Sequence, residues 1–169
     1  MTHLNTLAGR EMVWTRPSLF KSSYELRSSE TVVAELKFEN ALGRKATAHA
    51  DRRVWLLERT GFLQTKLLVR DHSTQNEIAS LTEKRLKRSQ EVVTSDGTRF
   101  VISFNFWGTE FTLATTSGEV LATMRRRGFF NVSWPTEIRH KAKSLPEVSW
   151  LVLLMWYYIL LRRRRSRSH

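Results

Sequence analysis

The sequence predicts a mainly β protein, a single closed antiparallel barrel of about twelve strands built from about three repeats around a central C-terminal hydrophobic helix. Three observations carry this expectation. A pattern of apolar residues recurs three times, polar turn residues separate its parts, and a C-terminal run of residues has no polar face. A chain of 169 residues suits one domain, which buries roughly two-thirds of its extended surface on folding. Hydrophobic residues make up 41% of it, enough for a core of that size.

The repeat is two apolar residues, a gap of three, two alternating apolar residues, a polar turn, and then apolar-Ala-x-apolar. Its first copy is Leu19-Phe20, Tyr24, Leu26 and Val33-Ala34-Glu35-Leu36. The second is Phe62-Leu63, Leu67, Val69 and Ile78-Ala79-Ser80-Leu81. The third is Phe106-Trp107, Phe111, Leu113 and Leu121-Ala122-Thr123-Met124. The alanines lie 45 and 43 residues apart, a spacing that suits a unit of four strands.

Each unit reads as β. Tyr24/Leu26, Leu67/Val69 and Phe111/Leu113 have the two-residue alternation of half-buried strands. The turns Ser28-Ser29-Glu30, Asp71-His72-Ser73 and Ser117-Gly118 follow them. Ser95-Asp96-Gly97-Thr98 predicts a hairpin with a type I′ turn, joining Gln90–Thr94 to Arg99–Phe104. The matching hairpin of the middle unit joins Lys45–Ala50 to Arg53–Glu58 through Asp51. A strand at Met12–Thr15 opens the first unit, and Phe129–Trp134 with the stretch Glu137–Lys143 supplies the remaining partners. No linker or low-complexity stretch interrupts the series. Closure into one barrel removes the exposed edges that an open sheet would leave.

Pro146 and Glu147 open the last element, with Ser144 as the expected cap. From Trp150 to Leu161 every residue is apolar or aromatic. A helix of that kind must be enclosed on all sides, by lipid or by protein. Val148 to Leu161 spans about 21 Å at 1.5 Å per residue, short of the roughly 30 Å of a bilayer core. The barrel interior is therefore the expected enclosure, with a C-terminal membrane anchor as the alternative. Ala34, Ala79 and Ala122 are placed on the inner wall where the helix comes closest. The expected organisation is an N-terminal arm over 1–11, a barrel over 12–161 with its helix at 146–161, and a polybasic tail over 162–169.

The threading of a twelve-stranded barrel by a C-terminal hydrophobic helix resembles the tubby C-terminal-like superfamily. That group includes tubby proteins, phospholipid scramblases and plant LURP-one-related proteins. The likeness is carried by Trp14-Thr-Arg-Pro-Ser-Leu-Phe20, Gly61-Phe62, Asn105-Phe-Trp-Gly108 and the Pro146-to-Leu161 helix, and it is greatest to small bacterial members of unassigned function. The resemblance implies a barrel that binds phosphoinositide headgroups through basic residues or associates with membranes. Scramblase features such as an acidic calcium loop, a cysteine-rich run and a proline-rich arm are absent from this sequence. The aspartates, Asp51, Asp71 and Asp96, all fall at predicted turns.

Several kinds of chemistry are excluded or unsupported. The lack of cysteine rules out disulfides, Cys-based zinc sites and a Cys nucleophile. The histidines His3, His49, His72, His140 and His169 form no HxH or HExxH pair, so no metal site is expected. No glycine-rich phosphate loop or Gly-x-Ser-x-Gly elbow is present. Neither a catalytic residue nor a cofactor is expected, and the protein reads as a non-enzyme. Met1 to Arg10 has no continuous apolar stretch, which points away from a secretory signal and towards a cytoplasmic protein.

The net charge of +12 points instead to a polyanionic partner. Its clusters are Lys84, Arg85, Lys87 and Arg88 between units two and three; Arg125, Arg126 and Arg127 after unit three; and Arg162, Arg163, Arg164, Arg165 and Arg167 in the tail. Guanidinium groups chelate phosphate in a bidentate manner. These residues are the candidate anion-binding set. The leading expectation is a module for anionic phospholipid headgroups, peripheral at a membrane. The alternatives are a nucleic-acid-binding protein and a structural or protein-interaction barrel. Phe129 and Phe130, beside three arginines, are read as strand residues facing the core, with a lipid contact as the other reading.

Overall fold

The computed structural model describes residues 3–18, 22–130 and 132–167. Twelve strands run through it: β1 (Glu11–Thr15), β2 (Ser23–Ser28), β3 (Thr31–Phe38), β4 (Lys45–Ala50), β5 (Arg53–Thr60), β6 (Lys66–Asp71), β7 (Glu77–Thr82), β8 (Ser89–Thr94), β9 (Arg99–Phe104), β10 (Glu110–Thr115), β11 (Val120–Arg125) and β12 (Trp134–Ile138). Each pairs antiparallel with its neighbours in chain order, and β1 pairs with β12 to close the barrel. A helix, α1 (Val148–Arg167), fills the interior.

The apolar-Ala pair of the repeat is the mark of a β-bulge. Leu26 pairs with Ala34 and Arg27 with Val32, so Val33 is skipped. Val69 pairs with Ala79 and Arg70 with Glu77, skipping Ile78. Leu113 pairs with Ala122 and Ala114 with Val120, skipping Leu121. At a bulge two residues face one, and the strand bends and twists more strongly. Three bulges at equivalent places help curve the sheet towards closure.

Every residue of α1 from Val148 to Leu161 is buried. The wall around it supplies Trp14, Leu36, Leu57, Leu67, Val92, Ile102, Phe111 and Met124, all within one core. Trp156 stacks on Trp14 at 4.9 Å between ring centroids and meets Trp134 edge-on at 6.0 Å. No helix among the described residues is long and apolar enough to cross a membrane. The apolar segment that could have served as an anchor is the plug of the barrel.

Several expected boundaries shift. The helix begins at Val148 and runs to Arg167, so it does not end at Leu161 and the tail arginines are its last turns. Ser144 closes a separate 3-10 turn, His140–Ser144, where a strand was expected. Glu147 accepts the first helical bond, from Leu151 N–H. The N-terminal segment is not a free arm. A 3-10 turn at Leu4–Leu7 buries both leucines in the core. It is tied down by Asp51, whose carboxylate accepts from Leu4 N–H at 2.7 Å and also from the Ser149 hydroxyl. Asp51 stands at the β4–β5 turn as expected, with φ +53°. The Asp96-Gly97 turn is not type I′, because only Gly97 has positive φ. The Asp96 carboxylate instead accepts from Thr98 N–H and the Thr94 hydroxyl, closing a wider loop.

Among the described residues of Phe129–Trp134, only an isolated bridge from Ser133 to Arg127 precedes β12, which starts at Trp134. Phe129 and Phe130 point to solvent, which overturns their core-facing reading. Leu19-Phe20, the first apolar pair of the repeat, and His169 at the tail lie outside the described residues. Ala34, Ala79 and Ala122 are buried on the inner wall. The helix, however, comes closest to β4, β5, β6 and β10, and the small residues that admit it on that side are Ala46, Ala48 and Ala50 of β4. A fully buried Ala48 leaves no room for added methylenes. Ala48→Leu is expected to lower stability by about 1–3 kcal/mol through overpacking, read as a fall in melting temperature with the β circular-dichroism signature retained.

Candidate functional site

Alternating strand direction sends the loops after β1, β3, β5, β7, β9 and β11 to one end of the barrel. Their described residues are 16–18 and 22, 39–44, 61–65, 83–88, 105–109, and 126–130 with 132–133. The C-terminal end of α1 emerges at the same mouth. There the phenol of Tyr157 donates to the carbonyls of Gly43 and Arg44 at 2.9 and 3.1 Å. Burial pushes the Tyr157 hydroxyl well above the usual phenol range, so it stays a donor. Gly43 has φ +70°, a conformation that favours glycine, and a Cβ there would also press on the side-chain ends of Arg164 and Leu161.

Successive helical residues point about 100° apart, so Arg162 to Arg165 fan out around the mouth. Arg162 lies over Phe104 at 4.0 Å, and Arg163 over Trp134 at 5.9 Å. Arg164 lies over Phe38 at 3.9 Å and donates to the Ala41 carbonyl at 3.0 Å. Arg165 grips Glu83 with two bonds of 2.5 and 2.6 Å. The Glu83 side chain is only 1% exposed, and the pairing raises the Arg165 pKa. The four arginines thus seal the barrel as well as charge it. Cations at a helix C-terminus also complement its dipole.

Of the other predicted residues, the 83–88 cluster falls on the same rim, whereas Arg125 to Arg127 start at the rim and line the wall below it. Lys84, Arg85, Lys87 and Arg88 are exposed on the 83–88 loop. Buried Gln90 shapes this loop: its carbonyl accepts from Lys84 N–H, and its amide donates to the carbonyls of Lys84 and Lys87. Arg88 extends over Phe106 at 5.9 Å. Arg125 and Arg127 are compensated by acids, Glu110 at 3.5 Å and Glu11 at 3.3 Å. Arg126 is exposed, lines a groove with Arg125, Arg127 and Arg139 along β11 and β12, and its charge is felt by Arg163.

A cavity of about 430 Å³ opens between the 126–133 loop and the end of α1. Trp14, Tyr24, Trp134 and Trp156 wall it, and Arg16, Arg163 and Arg167 supply its charge. No carboxylate side chain lines it among the described residues. The indole N–H groups of Trp14, Trp134 and Trp156 are buried and have no hydrogen-bond partner among the described residues. Desolvation, then repulsion from Arg167, lowers the Arg163 pKa; Arg126 and Arg16 add to the repulsion. Cations gathered in a partly dry pocket without a carboxylate favour an anion. Sequence reading missed the aromatic walls of this cavity, because Trp14, Trp134 and Trp156 lie on three separated elements. Arg163 and Arg167 were already among the predicted anion-binding residues, whereas Arg16 was read only as part of the Trp14-to-Phe20 run.

The fold matches the X-ray structure of a protein from Arabidopsis thaliana, AT5G01750, with a TM-score of 0.59 at 13% identity. The match covers 94% of this chain and 93% of the plant chain. At that identity it shows a shared fold alone. No protein-family model matches the sequence, and no curated protein does.

Two outcomes follow from this geometry. Arg165→Ala leaves the Glu83 carboxylate buried without its partner and is expected to destabilise the fold by about 2 kcal/mol in denaturant titration. Phosphate is expected to raise the melting temperature more than chloride at equal ionic strength, and Arg163→Gln to remove most of that difference.

Proposed function

We propose that this chain is a tubby-like barrel that acts as a non-enzymatic binding module for anionic phospholipid headgroups, peripheral at the cytoplasmic face of a membrane. The observation that carries the reading is the charge segregation. Lys84 to Arg88, Arg126 and the arginines of α1 gather at one mouth, where the acidic loop residues are Glu39 and Glu83. Glu83 is already consumed by Arg165. A cationic surface of this kind gains about 1 kcal/mol per basic residue near an anionic membrane. The aromatic-walled cavity offers one partly enclosed position for an anionic group within that field, and the exposed lysines and arginines supply a diffuse contact around it. Nucleic acid would meet the same charge, but the loops that carry the cations also carry exposed apolar side chains, which suit a membrane interface better than a phosphate backbone.

Co-sedimentation with phosphatidylcholine vesicles, with and without phosphatidylserine, tests the reading beside a nucleic-acid gel shift at matched salt. Binding is expected only to the anionic vesicles and to weaken as salt rises. Changing Lys84, Arg85, Lys87 and Arg88 together to Gln is expected to weaken it by about 1 kcal/mol for each residue. A gel shift at salt where vesicles no longer bind would favour the nucleic-acid function instead.

A further inference from the structure

The rim that carries the cations also carries nearly all of the exposed apolar side chains. Nine large hydrophobic residues are exposed among those described, and all but Val32 stand in the loops of this mouth. Phe62 and Leu63 cap the 61–65 loop, Phe106 and Trp107 the 105–109 loop, and Phe129 and Phe130 the 126–133 loop. Leu42 and Leu86 tip the loops between them. The turns at the opposite end, 29–30, 51–52, 72–76, 95–98 and 116–119, carry none.

These tips are built rather than accidental. Asn105 accepts from the backbone N–H groups of Thr109 and Glu110 and donates to the Thr109 hydroxyl, which holds Phe106 and Trp107 outward. Phe106 and Trp107 brace each other edge-on at 5.1 Å. Gly61 has φ +90°, and a Cβ there would collide with the Gln64 carbonyl, so the loop that raises Phe62 and Leu63 needs glycine. Two of these pairs are the apolar pairs of the sequence repeat, so the same device recurs in successive units.

From this arrangement we infer that the apolar loop tips insert into the interfacial layer of an anionic bilayer, with the barrel mouth facing the membrane and the arginines of α1 at headgroup level. The inference rests on the lipid-binding reading above and gives it an orientation. Aromatic and leucine side chains surrounded by Lys and Arg match the two layers of a membrane interface, where rings settle near the headgroups and cations meet phosphate. The charge argues against a second copy of this chain as the occupant. Two such mouths face to face would set one arginine crown against another.

Trp107 provides the test. It is 80% exposed, whereas Trp14, Trp55, Trp134, Trp150 and Trp156 are each at most 5% exposed. The difference in emission between the protein and Trp107→Phe therefore reports on one loop tip. With phosphatidylserine-containing vesicles the Trp107 emission is expected to shift to the blue, lose acrylamide quenching and be quenched by lipid brominated near the top of the acyl chain. Phe62→Ser with Leu63→Ser is expected to weaken vesicle binding about tenfold, while melting stays unchanged because both residues are fully exposed. Sedimentation with anionic vesicles without any change at Trp107 would overturn insertion and leave surface binding intact. Failure to sediment with either vesicle would overturn both. Concentration-dependent protection of Trp107 without vesicles would assign the tips to self-association and overturn the inference.

Discussion

A helix that is apolar around its whole circumference has to be surrounded, and this one requirement organises the molecule. Val148 to Leu161 presents no face that water could wet. Twelve short antiparallel strands solve the problem by curling around it. The wall is lined with alanine on β4, where the helix comes close, and with large rings against Trp156, as at Trp14 and Trp134. The bulges at Val33, Ile78 and Leu121 let the sheet bend enough to close. The N-terminal turn at Leu4–Leu7 and Asp51 secure the start of the helix at the other end.

The same requirement explains why the mouth is charged. A helix too apolar to be solvated must change character abruptly where it leaves the barrel, and four consecutive arginines make that change. Their stems and planar guanidinium groups lie over the rims of Phe38, Phe104 and Trp134. They cover apolar surface while keeping charge at the water boundary. The residues that seal the barrel therefore also carry the charge at its mouth. Arg165 is committed to Glu83, whereas Arg163 faces other cations and belongs to the cavity.

Much of the fold was legible because a strand and a repeat are written locally. The hairpins at Lys45–Ala50 with Arg53–Thr60 and at Ser89–Thr94 with Arg99–Phe104 follow from alternation and turn residues. The apolar pairs Phe62-Leu63 and Phe106-Trp107 were visible as part of the repeat, but not their direction. Hydrophobicity alone does not say whether a pair enters the core or crowns a loop. Gly61, Gly108 and Gly128, all with positive φ beside exposed tips, were the available signal for loops. Phe129 and Phe130 misled for the same reason. The Asp96-Gly97 turn differed because the Asp96 carboxylate holds the loop wider than a two-residue turn.

By itself the sequence determined the element inventory: the repeat period, the strand runs, the buried character of the C-terminal segment and the basic clusters. Periodicity and composition are local quantities and survive without a structure. Only the tertiary structure decided where those pieces meet. Arg16, Arg163 and Arg167 reach one cavity with Trp14, Trp134 and Trp156 because barrel closure brings β1 beside β12 around the exit of α1. The exposed tips and the cations share one end because antiparallel strands return alternate loops to the same side. No local pattern contains that coincidence; it is a property of closure and of the direction in which the helix runs.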